Sequence, residues 1–369
     1  MRFRVKTVLV QIAVIMAVGG TVLSLAPDLS YAETAPSAEI PPAISESSRD
    51  TISTAAPVPI KTKPKTVGFE AKVGSWLSTG ETQWSHNASS LSSLVGNPTS
   101  KLTYKDVGTN IVEFGGKLTV LERAFLRADY GFGGIGGGRL TDDDYLSAAG
   151  ATFYGTATPG AQLVSRTHSD INGNDVRYLN IDLGFTFYQF PNGKGSLSTF
   201  FGYQNWREAQ SASGVTQVIC TAVGTFCRAP GTVTNSGRTV ISNTTSWNSL
   251  KVGVEGDYNV WSRVTLGGKV AFIPYASLEN RDIHHLRTDL AQNPSFKMTG
   301  NGLGVNAEGT VSVRLVSTLF LDLGYRFWYL SVSDGTWQSF SRTGAVSTAQ
   351  LKELSTMRQG ATLGLRYTF

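Results

Sequence analysis

The sequence contains little charge, few cysteines and few histidines, and these shortages exclude several classes of protein. Charged residues make up 16% of the 369 residues, and the net charge of +5 is too small to predict a nucleic-acid partner. Cys220 and Cys227 stand close together without a nearby histidine, which is a poor pattern for a zinc site. We therefore expect neither nucleic acid nor metal, and in an exported chain we expect these cysteines to form a disulfide.

Long hydrophobic runs are scarce as well, and the one that occurs is at the N-terminus. Arg2, Arg4 and Lys6 precede an apolar run, which is followed by Ser30-Tyr31-Ala32. A basic start, an apolar middle and small residues at the end predict a secretory signal peptide over residues 1–32. An uncleaved membrane helix is the alternative, because the run is long for a signal. No later run reaches the roughly 18 apolar residues of a membrane-spanning helix.

Aromatic residues are almost absent from residues 33–66, which are rich in Pro, Ser, Thr and Ala. Such a segment cannot bury a core, and we expect a flexible tether there. The chain as a whole nevertheless has 40 glycines and 10% aromatic residues. That composition favours many strands joined by turns over helices.

Ten candidate strands follow from Val67 onward, and apolar and polar residues alternate along them. The alternation is clear in residues 124–133, 179–187, 303–314 and 319–327. One face is aliphatic and aromatic, which suits lipid, whereas the other mixes charges with glycine, which suits a polar lumen. A soluble periplasmic β-sandwich is the alternative, since it would place the same apolar face on a core.

The connections between these strands alternate between short and long. Short turns are predicted near residues 121–123, 191–194, 259–262 and 315–317, and long polar connections at 78–101, 134–176, 210–246, 278–299 and 333–353. The last strand ends on Phe369, as in outer-membrane proteins of bacteria. We therefore predict an all-β fold over residues 67–369: a ten-stranded antiparallel transmembrane β-barrel with short periplasmic turns and long extracellular loops, in the bacterial outer membrane.

The polar faces of the strands predict a lumen that is filled by charged side chains. A barrel of ten strands is narrow, so these side chains should leave little room for conduction and weigh against a general porin. The predicted lumen residues are Arg127, Asp129, Asp182, Glu255, Glu308, Asp322 and Arg326.

Two short motifs in the long loops could carry chemistry. Asp142 and Asp144 in the second loop, and Asp282 and His284 in the fourth, are each two residues apart and so point to the same side of an extended chain. Strands three and four lie nearly opposite strands seven and eight in a ring of ten, so the two motifs should face each other. An Asp–His dyad is a general base, and two close carboxylates can share a proton and orient water.

Water activated between these pairs would hydrolyse an amide bond. Two solvated loop tips are the alternative. His285 is the alternative to His284, which the spacing favours. The remaining histidines, His86 and His168, fall in predicted polar loops, where we expect solvent-exposed side chains.

Asp142-Asp143-Asp144-Tyr145 and Asp282-Ile283-His284 resemble the two catalytic motifs of the omptins, ten-stranded outer-membrane proteases. The first motif departs at Tyr145, where the omptins usually have Trp. Gly202–Arg207 is similar to an outward-facing omptin segment that binds lipopolysaccharide. The resemblance implies an aspartic-type endopeptidase with Asp142, Asp144, Asp282 and His284 as catalytic residues.

It also implies lipopolysaccharide contacts at Tyr203 and Arg207, an activating lipid but no other cofactor, and a peptide or protein substrate. We expect a monomer.

Two departures from the omptin pattern affect substrate preference. Omptins that cut beside basic residues carry an acid two positions before the Asp-x-His motif, where this chain has Asn280. Their second acid aligns with Trp84, so Glu81 and Glu279 are the nearby acids that could substitute. We therefore name Glu81, Glu279 and Asn280 as predicted substrate-binding residues. The alternative function is a non-catalytic barrel, namely a structural protein, an adhesin or a narrow pore.

Overall fold

The computed structural model describes residues 67–158, 160 and 162–369. The predicted signal peptide and tether lie outside these residues. The part of the chain that the structure describes holds no helix with the length and hydrophobicity of a membrane span.

Strands make up nearly all of the described structure. The strands are β1 (Val67–Asn87), β2 (Val95–Val120), β3 (Ala124–Leu146), β4 (Leu163–Ile171), β5 (Asp175–Gln189), β6 (Gly195–Cys220), β7 (Val233–Trp261), β8 (Val264–His284), β9 (Phe296–Arg314), β10 (Leu319–Val332), β11 (Gly335–Phe340) and β12 (Val346–Thr368). A short helix, α1 (Ala148–Tyr154), follows β3, and a 3-10 turn covers Pro191–Gly193.

These strands form one closed antiparallel ring. β4 and β5 together occupy one position in the ring, since both pair with β3 and with β6. β10 and β11 likewise share the position between β9 and β12. β1 pairs with β12 along its length, with Gly74 opposite Gly364, and so closes the barrel. The ring therefore has ten positions, which confirms the predicted ten-stranded β-barrel.

The half of the barrel next to the short turns, here called the turn-side half, has an apolar outside. Phe114, Leu126 and Phe132 are exposed on that face. Its lumen is charged: Arg127 lies 2.7 Å from Asp182 and 2.6 Å from Glu255. The predicted lumen residues line this half, together with a cavity of about 390 Å³ that opens among the ion pairs. This arrangement confirms a lipid-facing exterior and a polar interior.

The opposite half, here called the mouth half, has the inverse polarity. Its lumen is filled by buried apolar side chains such as Trp84, Leu102 and Leu140. Its outside carries ion pairs such as that between Arg166 and Asp143, which are 2.6 Å apart. Because this half projects beyond the lipid, its outer face meets water and its inner face supplies the hydrophobic core.

The predicted long connections are longer than those in the structure, because strands with a polar outer face resemble loops in the sequence. The strands continue through most of the polar segments, and the true connections are residues 88–94, 147–162, 221–232, 285–295 and 341–345. The alternation in these segments is reversed rather than lost. Cys220 and Cys227 are joined by a disulfide at the end of β6, where it fastens the 221–232 connection.

Candidate active site

Both predicted motifs lie on strands rather than in loops. Asp142 and Asp144 are near the end of β3, and Asp282 and His284 are the last residues of β8. They stand beyond Phe132 and Tyr275, the last exposed apolar residues of these strands, and hence above the lipid. The site is therefore built on the strand wall of the mouth half.

A β-bulge in each strand turns these side chains into the lumen. On β3, Gly137 pairs with Gly108 but Ile135 pairs with Thr109, so β3 has one extra residue there. Asp142 and Phe132 are both even-numbered, and in a regular strand they would share the lipid-facing side. The extra residue reverses the alternation, so that Asp142 faces the lumen while Phe132 faces lipid.

The equivalent bulge in β8 lies at Pro274-Tyr275. Ile273 pairs with Gly304 and Ala276 with Gly302, which again leaves one extra residue in β8. Ile273 before the bulge and Asp282 after it are both fully buried on the lumen side. The β3 bulge favours glycine at position 138, because a Cβ there would lie 2.9 Å from the Lys105 carbonyl oxygen.

The carboxylates of Asp142 and Asp144 form one side of the site. Ser100 on β2 is opposite Asp144 in the register, and its hydroxyl donates to Asp142 Oδ1 at 3.3 Å. Asp143, between them, points outward to Arg166. The spacing of two thus places both carboxylates on one face of β3, and the bulge turns that face into the lumen.

Asp282 and His284 form the other side. His284 Nε2 lies 3.1 Å from Asp282 Oδ2, which leaves Nδ1 as the ring nitrogen for a reacting water. Asp282 is fully buried, and Asn243 Nδ2 donates to its Oδ1 at 3.3 Å. The His284 ring packs edge-on against Phe296 at 4.8 Å between centroids, and its backbone N–H donates to Ser295. These contacts fix the orientation of the imidazole.

Tyr104 connects the two sides across the mouth. It stands on β2, beside the Asp142 wall, and its hydroxyl donates to Asp282 Oδ1 at 3.4 Å. Burial and the charges of Asp282 and Asp142 raise the pKa of Tyr104, so the hydroxyl remains a donor. The Tyr104 side chain therefore extends from the strand next to Asp142 to the Asp282 carboxylate.

Burial and mutual repulsion govern the acid pair. Burial raises the pKa of Asp142 to about 6, with the positive charge of His284 opposing and the negative charge of Asp282 adding to the shift. Burial, followed by the charge of Asp142, raises the pKa of Asp144 to about 8. Two carboxylates in this position cannot both ionise readily, so the pair holds a proton near neutral pH.

The imidazole of His284 experiences opposing effects. Burial by itself lowers the pKa of His284, but the hydrogen bond and charge of Asp282 outweigh burial and raise it above 6.5. The charge of Asp142 acts on His284 in the same direction. The charges of the two predicted pairs therefore act on each other's pKa values.

Asn280 lies on the floor of the site, beside Asp282. It is fully buried, and its Nδ2 donates to Asn243 at 2.9 Å and to Thr245 at 2.7 Å. Asn243 in turn donates to Asp282. The structure therefore places Asn280 in the site, as a neutral group in a closed hydrogen-bond network.

The two predicted acids are not in the site. Glu279 is on the outer face of β8, where Arg281 and Lys297 lie 2.8 Å and 3.2 Å away. Glu81 alternates with the lumen-facing Thr82 and pairs with the outward Met357. The prediction that Glu81 and Glu279 line the substrate site is wrong, because strand alternation turns both away from the lumen.

Tyr203 and Arg207 face outward, as the sequence predicts. The Tyr203 hydroxyl donates to Asn248 Oδ1 at 2.6 Å on the outer surface of the barrel. Arg207 Nη1 lies 3.1 Å from Asp175, which Arg177 also contacts. A cluster of polar side chains thus marks the outer wall between β5, β6 and β7.

The other histidines separate into three environments. His285 is exposed and lies 2.9 Å from the Ser242 hydroxyl, outside the cluster. His168 is half-buried opposite Thr141 on the outer side of β4. His86, predicted to be solvated, is instead 6% exposed in the mouth half. The loop prediction fails for His86 because β1 extends to Asn87.

Three residues of the site escaped the sequence-based prediction: Ser100, Tyr104 and Asn243. Each precedes or follows apolar residues at a spacing of two on its own strand, which is a weak signal for a lumen-facing position. Their role depends on the register of β2 with β3 and of β7 with β8. Within the described residues, no group of His, Cys, Asp and Glu side chains could hold a metal ion.

The closed ring and its apolar outer belt define an outer-membrane β-barrel. A family model described as Pom, Protochlamydia outer membrane protein, matches residues 78–369, and the chain belongs to this family. It therefore resides in the outer membrane. No curated protein sequence matches the chain.

Among solved structures, the chain is similar to the outer membrane protease OmpT from Escherichia coli, with a TM-score of 0.66 and 14% identity over 82% of this chain and 97% of that chain. It also matches the translocator domain of the autotransporter NalP from Neisseria meningitidis, with a TM-score of 0.33 and 11% identity over 84% and 91%.

A FadL homologue from Pseudomonas aeruginosa matches with a TM-score of 0.30 and 8% identity over 82% and 90%. The low identities show the barrel fold alone. The omptin resemblance is thus supported at the level of a related barrel.

Proposed function

We propose that this barrel is an endopeptidase that hydrolyses peptide bonds with water held between the Asp282–His284 dyad and the Asp142–Asp144 pair. The observation that carries the proposal is the convergence of these four side chains, two from each of two facing strands, which Tyr104 joins by reaching from the strand next to Asp142 to Asp282 Oδ1 at 3.4 Å. Perturbed carboxylates beside an oriented imidazole are typical of sites that perform acid–base chemistry. The likeness to the OmpT barrel adds support.

The proposed reaction needs no covalent intermediate. Neutral His284 takes a proton from water while Asp282 holds the ring, and the hydroxide attacks the carbonyl carbon. The imidazolium then gives its proton to the leaving nitrogen as the C–N bond breaks. The Asp142–Asp144 pair orients the water with its ionised oxygen, and its retained proton hydrogen-bonds within the cluster.

We also propose that the outer wall at Tyr203 and Arg207 binds lipopolysaccharide and that this contact activates the enzyme. Guanidinium groups bind phosphate with charge-assisted hydrogen bonds, and tyrosine suits a membrane interface. The site lies within one chain, so a monomer suffices for catalysis.

The test is cleavage of a mixed peptide library by the refolded mature protein, with and without lipopolysaccharide. We expect cleavage by the wild type, loss in His284→Ala and retention in His285→Ala, the neighbouring histidine outside the cluster. Arg207→Ala should weaken the dependence on lipopolysaccharide. Equal cleavage by wild type and His284→Ala would rule out the assigned base.

The second candidate is a non-catalytic barrel, such as a structural protein, an adhesin or a narrow pore. The neutral amide of Asn280 favours it, since position 280 lacks the carboxylate with which omptins hold a basic substrate side chain. A pore is disfavoured because Trp76, Tyr178 and Trp328 pack edge to face across the lumen, with centroids 4.8–6.3 Å apart. Steady conductance in planar bilayers, without peptide cleavage, would favour this candidate.

A further inference from the structure

His86 lies on β1, in the part of the barrel wall that runs between the Asp142–Asp144 pair and the Asp282–His284 dyad. In the register, His86 on β1 is opposite Ser100 on β2, and Ser100 is opposite Asp144 on β3. Directly opposed side chains in antiparallel strands are about 5 Å apart at Cβ. His86, Ser100 and Asp144 therefore form one row at the level of the acid pair.

An aromatic series continues from His86 to the dyad. The His86 ring stacks on Trp337 with centroids 4.2 Å apart and planes 4° from parallel. Trp337 is 5.0 Å from Phe296, whose ring contacts His284. This packing fixes the plane of the His86 ring between the two pairs.

The buried imidazole is uncharged and incompletely hydrogen-bonded. Burial, followed by the positive charge of His284, lowers the pKa of His86 to about 3, so the ring is neutral at physiological pH. Its Nδ1 is buried and has no hydrogen-bond partner among the described residues. A neutral imidazole offers one N–H donor and one acceptor, and burial without a partner is costly. The position is thus suited to a polar group that arrives with the substrate.

We propose that His86 is a further catalytic residue, whose neutral imidazole donates an N–H to the carbonyl oxygen of the bond that is cleaved. This inference rests on the proposed peptidase function. As hydroxide adds to the carbonyl carbon, the π electrons of the C=O bond move onto oxygen, and the hydrogen bond strengthens as negative charge develops there. His86 transfers no proton. A neutral imidazole of lowered pKa is an established type of electrophile.

The test compares steady-state kinetics of three substitutions. His86→Phe keeps a ring against Trp337 but has no donor, whereas His86→Asn keeps an N–H near the position of Nδ1. His168→Phe removes a histidine from the outer side of the barrel and serves as the control. Loss of one donor to a developing oxyanion lowers kcat by about 10²–10³-fold, so we expect that loss in His86→Phe, with KM nearly unchanged. His86→Asn should recover at least part of the rate, and His168→Phe should match the wild type.

Several outcomes would overturn the proposal. A wild-type kcat in His86→Phe, a change confined to KM, or equal losses in the Phe and Asn variants would each contradict a donor role. Folding is verified by heat-dependent migration in gels, and His86→Leu replaces the Phe variant if that variant does not fold. A wild-type protein that cleaves nothing would overturn the peptidase and this role together. Cleavage that depends on His284 but not on His86 would overturn only the role of His86.

Discussion

The two halves of the barrel use charge in opposite ways. In the turn-side half, each buried carboxylate is matched: Asp182 contacts Arg127 and Lys251, at 2.7 Å and 2.9 Å. In the mouth half, Asp142 and Asp144 lie side by side on β3, and no arginine or lysine of the described residues lies within ion-pair distance of them. A buried carboxylate paired with a cation stays ionised, whereas a buried carboxylate without a cation has a raised pKa and can take part in acid–base chemistry.

The bulges mark the border between these halves. On the turn side of the bulges, even-numbered residues of β3 and β8 such as Phe132 point to the lipid. On the mouth side, even-numbered residues such as Asp142 and Asp282 point into the lumen. A single extra residue in β3 and in β8 thus separates a lipid-facing position from a site position.

The largest expected effect concerns the unmatched acids. Asp142→Asn or Asp144→Asn should lower kcat by about 10²–10⁴-fold, because an amide can neither ionise nor exchange the proton that the two carboxylates share. Peptide cleavage under saturating substrate measures this. Asp143→Asn is the matched control, because that residue faces outward to Arg166 and should keep wild-type activity. A loss in Asp143→Asn as large as in its neighbours would contradict the assignment.

A matched pair near the border should contribute to stability instead. Arg358, fully buried, lies 2.7 Å from Glu208. Arg358→Met would leave Glu208 buried without its cation, which costs about 3–5 kcal/mol. Urea-dependent folding into lipid vesicles measures the change. The double variant Arg358→Met/Glu208→Leu should recover most of it, and failure to recover would show that the pair is not the cause.

The pH profile would sharpen the comparison further. His284 acts as a base only when neutral, and its pKa is raised above 6.5, so kcat/KM should rise about tenfold per pH unit below that raised value. The acid pair must keep its proton, and the pKa of Asp144 is raised to about 8, so activity should fall at higher pH. The two limbs report the whole cluster rather than single residues. An acid limb at or below pH 6 would contradict the raised pKa of His284.

The smallest effect is expected on the outer face. Glu279→Gln removes a half-exposed carboxylate from Arg281 and Lys297. Exposed ion pairs contribute about 0–1 kcal/mol, so stability should change by less than that, and cleavage should remain within about twofold of wild type. The same kinetic and urea measurements apply. A large drop in kcat/KM would show that Glu279 contributes to the substrate site after all.

Much of this architecture follows from local pattern. The alternation in segments such as 179–187 is set by lipid on one side and a polar lumen on the other, so the sequence alone predicts the barrel and its short turns. The spacing of Asp142 with Asp144 and of Asp282 with His284 likewise predicts which side chains act together, because a strand repeats every two residues.

Other features depend on contacts that local pattern does not reveal. The sequence alone misplaces Glu81, Glu279 and His86, since the polarity of the strands inverts above the lipid and makes lumen-lining strands resemble polar loops. Which face each residue takes there depends on the bulges in β3 and β8, and those depend on register with neighbouring strands. Local residue types thus determined the barrel and the paired motifs, whereas only the tertiary structure decided that Tyr104 reaches Asp282 across the mouth, because that contact joins strands distant in the chain.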